Sequence, residues 1–238
     1  MAGPSDKLPT AKTGDQAAVD AFVAKMRAAA PVTGLGARGR LIFALDATAS
    51  REATWDQASH IQAEMFREAQ SLGGLEIQLV HYQGFGAFHA SPWFVQADDL
   101  MRRMTGVHCL AGHTQIAKLL AHAIAETKRK RVNALVFVGD QLEESVDQLG
   151  QLAGELGLVG VPAFIFHEGG EPKARRAFEQ VATLTHGAYC PFDAGSARQL
   201  RELLHAVAVY AAGGRKALSD YSRKVGGGAL LLTRRLEP

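Results

Sequence analysis

The 238-residue chain is 47% hydrophobic and 21% charged, with 26 Lys+Arg against 24 Asp+Glu and 2 Cys. Near-balanced charge argues against a dedicated nucleic-acid or membrane-surface protein, and two Cys cannot build a disulfide scaffold. No apolar run approaches the roughly 18 residues of a spanning helix, and the polar stretch from Met1 to Asp15 lacks the apolar core of a secretory signal. These features point to a cytoplasmic globular domain large enough for one full core.

Residues 1–14, with Pro4 and Pro9, read as a disordered arm. A short helix carrying Ala17, Phe22 and Met26, ended by Pro31, and a linker fill 15–37. Leu41-Ile42-Phe43-Ala44-Leu45 is a continuous apolar run, the pattern of a strand buried on both faces of a parallel sheet. A helix follows in which Trp55, Ala58, Ile61, Met65, Ala69 and Leu72 recur every three or four residues. Leu75, Ile77 and Leu79 alternate as a strand, and Gly84-Phe85-Gly86 predicts a hairpin into 87–91, with Pro92 marking an edge strand.

The strand–helix rhythm then repeats. A helix is expected over about 114–127, with Ile116, Leu119, Leu120, Ala123 and Ile124 on one face. Strands are expected over 134–138, 161–166 and 188–192, each followed by a helix. The main unit, 38–212, is therefore an α/β domain: an open, mostly parallel, doubly wound sheet of about six strands, with one hairpin edge strand and helices on both faces. A helix and tail, broken by Gly226-Gly227-Gly228, occupy 213–238.

In such a sheet the ligand site lies outside the carboxyl ends of the strands. The first strand ends in Asp46-Ala47-Thr48-Ala49-Ser50, a later one in Gly139-Asp140, and Gly112-His113-Thr114 precedes the intervening helix. Two carboxylates and three hydroxyls are oxygen donors only, which suits a hard divalent cation, Mg²⁺ above all. Ser50 and Thr114 are also natural helix caps, and Asp46 and Asp140 read alternatively as turn residues.

Asp46-x-Thr48-x-Ser50, Thr114 after a glycine, and Asp140 ending a strand together resemble the metal-ion-dependent adhesion site (MIDAS) of von Willebrand factor type A (VWA) domains, in a bacterial-type intracellular member. Gly112-His113-Thr114-Gln115-Ile116 is similar to that family's Gly-Gly-Thr-x-Ile stretch. Thr48 stands where the family has Ser, and Gln141 follows Asp140 where Gly is usual. The resemblance implies a non-catalytic binding module with Mg²⁺, or Mn²⁺ or Ca²⁺, at Asp46, Thr48, Ser50, Thr114 and Asp140. A partner protein's Asp or Glu would complete the coordination, and relatives work beside an ATPase or in a multi-protein assembly. Neither nucleic acid nor membrane is an expected partner.

Two other readings compete. Gly139-Asp140-Gln141-Leu142-Glu143-Glu144 imitates a haloacid-dehalogenase-like phosphotransferase loop, with Asp46 as nucleophile, Glu144 as the last acid and Lys118 against the phosphate. Thr48 then replaces the general acid of hydrolytic members. A scaffold without a metal is the third reading. His81, His89, His108, Cys109 and His113 lack zinc-ligand spacing and read as separate surface and strand residues. Gly34 to Gly39 matches G-x-G-x-x-G but precedes its strand, so it reads as a linker. Lys128-Arg129-Lys130-Arg131 reads as favourable charge at a helix end or as a docking patch for an acidic partner. Phe85, Phe88, Trp93 and Phe94 read as edge-strand packing, and Cys109 and Cys190 as buried small hydrophobes.

Overall fold

The computed structural model describes residues 39–52, 75–192, 206–207, 209–211 and 220. The expected arm, the helices around 17–26 and 55–72, and the tail from 213 lie outside these residues, Asp220 excepted.

All eight residues of β1 (Gly39–Asp46) are buried, as its unbroken apolar run requires of a central strand. β2 (Leu75–Gln83) and β3 (Ala87–Phe94) form the hairpin. Three further strands follow, β4 (Ala134–Gly139), β5 (Ala163–Glu168) and β6 (Ala188–Phe192). The sheet order is β3-β2-β1-β4-β5-β6, parallel except for the antiparallel β2–β3 pair. Strand order reverses between β1 and β4, so the switch point where such sheets bind ligands falls between Asp46 and Asp140.

Alternation along the strands builds two cores. Phe43, Leu45, Val136, Val138, Phe164 and Phe166 belong to one, and Ile42, Ala44, Leu135, Phe137 and Ile165 to the other. Three helices close the second face: α2 (Ile116–Arg129), α3 (Val146–Leu158) and α4 (Pro172–Leu184). The first face is closed by α1 (Ala97–Thr105) and by a helical stretch presenting Ala206, Val207 and Tyr210. The fold class read from the sequence is thus the observed one.

Several local expectations change. α1 departs from the sequence expectation, because among its described side chains Leu100 and Met104 alone are buried in this short, charge-rich segment. Gly39 is not linker: it opens β1, and a Cβ there would lie 1.9 Å from the Ala211 carbonyl oxygen. Phe88, Trp93 and Phe94 pack on the cores, whereas Phe85 at the hairpin tip is 81% exposed. Cys190 is buried and Cys109 half-buried, both as free thiols.

Three residues of the basic run are held by acids of the same chain. Lys128 reaches Glu155 at 3.2 Å, Arg129 reaches Glu126 at 3.0 Å and Lys130 reaches Glu76 at 2.9 Å. Its charge therefore faces neighbouring carboxylates, which weakens the docking-patch alternative.

Candidate metal centre

The turn after β1 draws its polar groups inward. Asp46 has no exposed surface, and its Oδ1 accepts the Thr48 N–H at 2.8 Å, an Asx-type turn that folds the chain back on itself. Its Oδ2 accepts the Tyr82 hydroxyl at 3.1 Å, because the parallel register sets Asp46 beside Tyr82. The Thr48 and Ser50 hydroxyls are 3.1 Å apart. Thr48, not Ser50, occupies the cap position of the single 3₁₀ turn Ala49–Arg51, and it makes no side-chain cap bond.

Asp140 follows β4 across the switch point. Its backbone carbonyl accepts from His167 Nε2 at 3.1 Å, which places the ring proton there. The other ring nitrogen, Nδ1, then accepts the Tyr189 hydroxyl at 2.8 Å, so the imidazole is neutral, in keeping with burial holding its pKa below the usual value. Asp140 Oδ1 is buried and has no hydrogen-bond partner. Burial is the main cause that raises the Asp46 pKa to about 6, and the Asp140 carboxylate adds to it. Two carboxylates thus lie close enough to repel each other in a poorly solvated crevice.

The loop carrying Thr114 is tied to the same edge. Leu110 N donates to the Ala47 carbonyl at 3.0 Å and His113 N to the Gly84 carbonyl at 3.2 Å. Gly112 is required at this crossing, since a Cβ would sit 1.9 Å from the Gly84 oxygen. The Thr114 hydroxyl accepts the Glu143 N–H at 3.2 Å, while the Thr114 N–H donates to the Glu143 carboxylate at 2.7 Å. Thr114 is therefore not the cap of α2. That role falls to Glu144, whose two oxygens accept from Ile116 N at 2.6 Å and Ala117 N at 2.8 Å.

This arrangement bears on the phosphotransferase reading, because Glu144 is engaged by the helix backbone. Lys118 Nζ, in turn, goes to Gln115 Oε1 at 2.8 Å and to the Gly86 carbonyl at 3.3 Å. Among the described residues no group of three or more His, Cys, Asp or Glu side chains could hold a metal by itself. Any metal here must take hydroxyl as well as carboxylate oxygens.

Sequence reasoning missed the supporting residues Tyr82, Arg51, Glu168 and His167, and it placed Glu143 and Glu144 only in the phosphotransferase-like loop. Arg51 is 1% exposed and ion-paired with Glu168 at the end of β5, which clamps the Asp46 turn to a strand two positions away in the sheet. Arg51, directly after Ser50, carried a local signal of its own. Tyr82, Glu168 and His167 depend on strand register, and Glu143 and Glu144 on a loop that crosses to the start of α2. The histidine expectation also changes: His81 and His89 are stacked, with ring centroids 4.9 Å apart, and His113 meets Phe85 edge-on at 5.1 Å.

No protein-family model matches the sequence, and no curated protein matches it. Solved structures do resemble the fold. A von Willebrand factor type A protein from Catenulispora acidiphila superposes with a TM-score of 0.57 at 15% identity, over 73% of this chain and 43% of its own. The SpRpn10 VWA domain gives 0.57 at 11% identity, over 71% of this chain and 94% of that one. Proximal thread matrix protein 1 from the mussel byssus, solved with a zinc-occupied MIDAS motif, gives 0.56 at 14% identity, over 72% and 46%. This chain thus spans less than half the length of the Catenulispora and mussel chains. At these identities the likeness concerns architecture: the chain has the open, mostly parallel α/β fold of von Willebrand factor type A domains.

Proposed function

We propose that the chain is a cytoplasmic, divalent-cation-dependent protein-binding module and not an enzyme. Asp46, Thr48, Ser50, Thr114 and Asp140 would hold Mg²⁺, with Mn²⁺ or Ca²⁺ as substitutes, and an Asp or Glu of a partner protein would complete the coordination. The observation that carries this reading is the fully buried Asp46 carboxylate beside the half-buried Asp140, with no ion pair to either among the described residues. Asp46 is fully buried with its pKa raised to about 6, and Asp140 Oδ1 is buried without a partner. A divalent ion removes both penalties at once, since it offsets the repulsion and supplies the missing contact. The all-oxygen donor set fits a hard cation. The Catenulispora and mussel proteins share the architecture, and the mussel protein holds zinc in its MIDAS motif.

The surroundings fit an interaction surface. Phe85 is 81% exposed and Leu110 51% exposed, and their backbones meet through the Gly84 N–H to Leu110 carbonyl bond at 3.4 Å. With His113 they form an apolar rim tied to the turn after Asp46. A partner loop that places an acidic side chain at the ion and an apolar residue on this rim would use both. An ATPase or a larger assembly is the setting we propose for such a partner.

Calorimetric titration of the full chain with Mg²⁺ and Mn²⁺ is the test. Saturable binding is expected for wild type, with loss in Asp46→Ala and in Asp140→Ala. Absent binding, or equal binding by both variants, would favour the metal-free scaffold. Phosphatase activity abolished by Asp46→Asn would favour the phosphotransferase.

A further inference from the structure

A second polar site lies on the outer part of the sheet. His81 and Gln83 alternate with Tyr82 on β2, so they face away from the side that holds Asp46. The β2–β3 register sets His89 directly opposite His81. The last turn of α1 brings Arg102 and Arg103 to the same place, and together with Val107 these residues line a cavity of about 260 Å³.

Two residues of its lining each carry a buried polar atom without a partner. His81 is 7% exposed, and its Nδ1 makes no hydrogen bond; the same holds for Gln83 Oε1. Leaving such groups unpaired is costly, so a ligand that satisfies them is favoured. The charge of the walls selects its sign. Arg102 is paired with Asp99, but among the described residues Arg103 has no ion pair, and no carboxylate lines the cavity. Two guanidinium groups repel a metal ion, and two imidazoles are too few to hold one against them.

We propose that this cavity is a binding site for a phosphate group, either inorganic phosphate or the phosphate of a small monoester. Donors converge from three elements: the imidazole of His81 and the amide of Gln83 from β2, the imidazole of His89 from β3, and the guanidinium groups of α1. A tetrahedral dianion can use that many directions, whereas a planar carboxylate is filled by one bidentate arginine. Turning the Gln83 amide presents its NH₂ to the anion at no covalent cost. The volume exceeds that of phosphate alone and leaves room for an organic remainder against Val107. His81 is held neutral by burial and by the nearby His89 and Arg103, so it meets the anion as an N–H donor.

The test is calorimetric titration of the full chain with inorganic phosphate in a magnesium-free, phosphate-free buffer, with acetate as the comparison. Saturable phosphate binding is expected, at least about tenfold weaker in Arg103→Gln and in His89→Phe. Arg103 is exposed, so its replacement leaves the fold intact. Binding should persist in Asp46→Ala, which separates this site from the metal centre. No saturable phosphate binding, equal affinity for acetate, or unchanged affinity in both variants would overturn the proposal.

Discussion

Strand β1 carries a buried charge near each end, and the two ends are built in opposite ways. At the amino end Arg40, 5% exposed, meets Glu126 at 3.3 Å and Glu76 at 3.4 Å and donates to the Lys130 carbonyl at 2.5 Å. Its guanidinium also lies 3.6 Å from the centre of the Trp93 ring, and Trp93 Nε1 donates to Glu126 at 2.9 Å. At the carboxyl end Asp46 is equally buried, but it faces another carboxylate and neutral donors. A buried charge surrounded by opposite charge belongs to the architecture. One left beside its own sign marks a place where something else is expected to bind.

The largest effect should come from breaking the satisfied end. Arg40→Met keeps the volume but leaves Glu126 with Arg129 and Trp93 alone and Glu76 without its buried partner, and it should cost about 3 kcal/mol in denaturant unfolding. A loss below 1 kcal/mol, roughly that of an exposed pair, would show that the amino-end network is dispensable.

Asp46→Asn should act in the reverse direction on the metal-free protein. A folded-state pKa of about 6 against 3.8 means that the folded chain binds a proton more tightly than the unfolded one. That contribution is present at low pH and is lost as pH rises through about 6. Removing the charge should therefore stabilise the metal-free protein at neutral pH by up to about 3 kcal/mol. The same variant should lose any Mg²⁺-induced rise in melting temperature. A destabilised variant would mean that Asp46 is already compensated, as Arg40 is.

Smaller effects separate support from site. Glu144→Ala removes the carboxylate that caps α2 and should cost about 1–2 kcal/mol in thermal unfolding. His81 has its pKa lowered to about 4 from 6.5, so its contribution is present above pH 6.5 and is lost as pH falls toward 4. His81→Phe in phosphate-free buffer should flatten that acid slope by about 1 kcal/mol, read from denaturation midpoints across pH. Phe85→Ser should change stability by less than about 0.5 kcal/mol, because the ring is exposed. Partner binding should nevertheless weaken, and that contrast sharpens the separation between fold and surface.

The carboxyl edge was partly legible in the sequence because its donors sit in short strand-end motifs. Asp46, Thr48 and Ser50 are within five residues, and Asp140 directly follows an apolar strand. Thr114 could be selected, yet its role as a cap could not be judged. Glu144 is 28 residues from the backbone N–H of Ile116 that it accepts from, and no local pattern records that pairing. The same holds for Tyr82, which reaches Asp46 only through strand register, and for Arg40, whose acids lie on β2 and α2. The helix α1 escaped notice because so few of its residues turn inward, and with it the His81–Arg103 cavity was hidden.

What the sequence determined by itself was the class of fold and the chemistry of its strand ends. Continuous apolar runs force strands to be covered on both faces, and small oxygen-bearing residues end up where those runs stop. Tertiary structure alone decided which charges are answered. Partnering depends on register and on loops that cross, and those bring together residues far apart in the chain. It therefore sets Arg40 among acids, leaves Asp46 within the electrostatic reach of Asp140, and joins two histidines and two arginines around a cavity with no carboxylate in its lining.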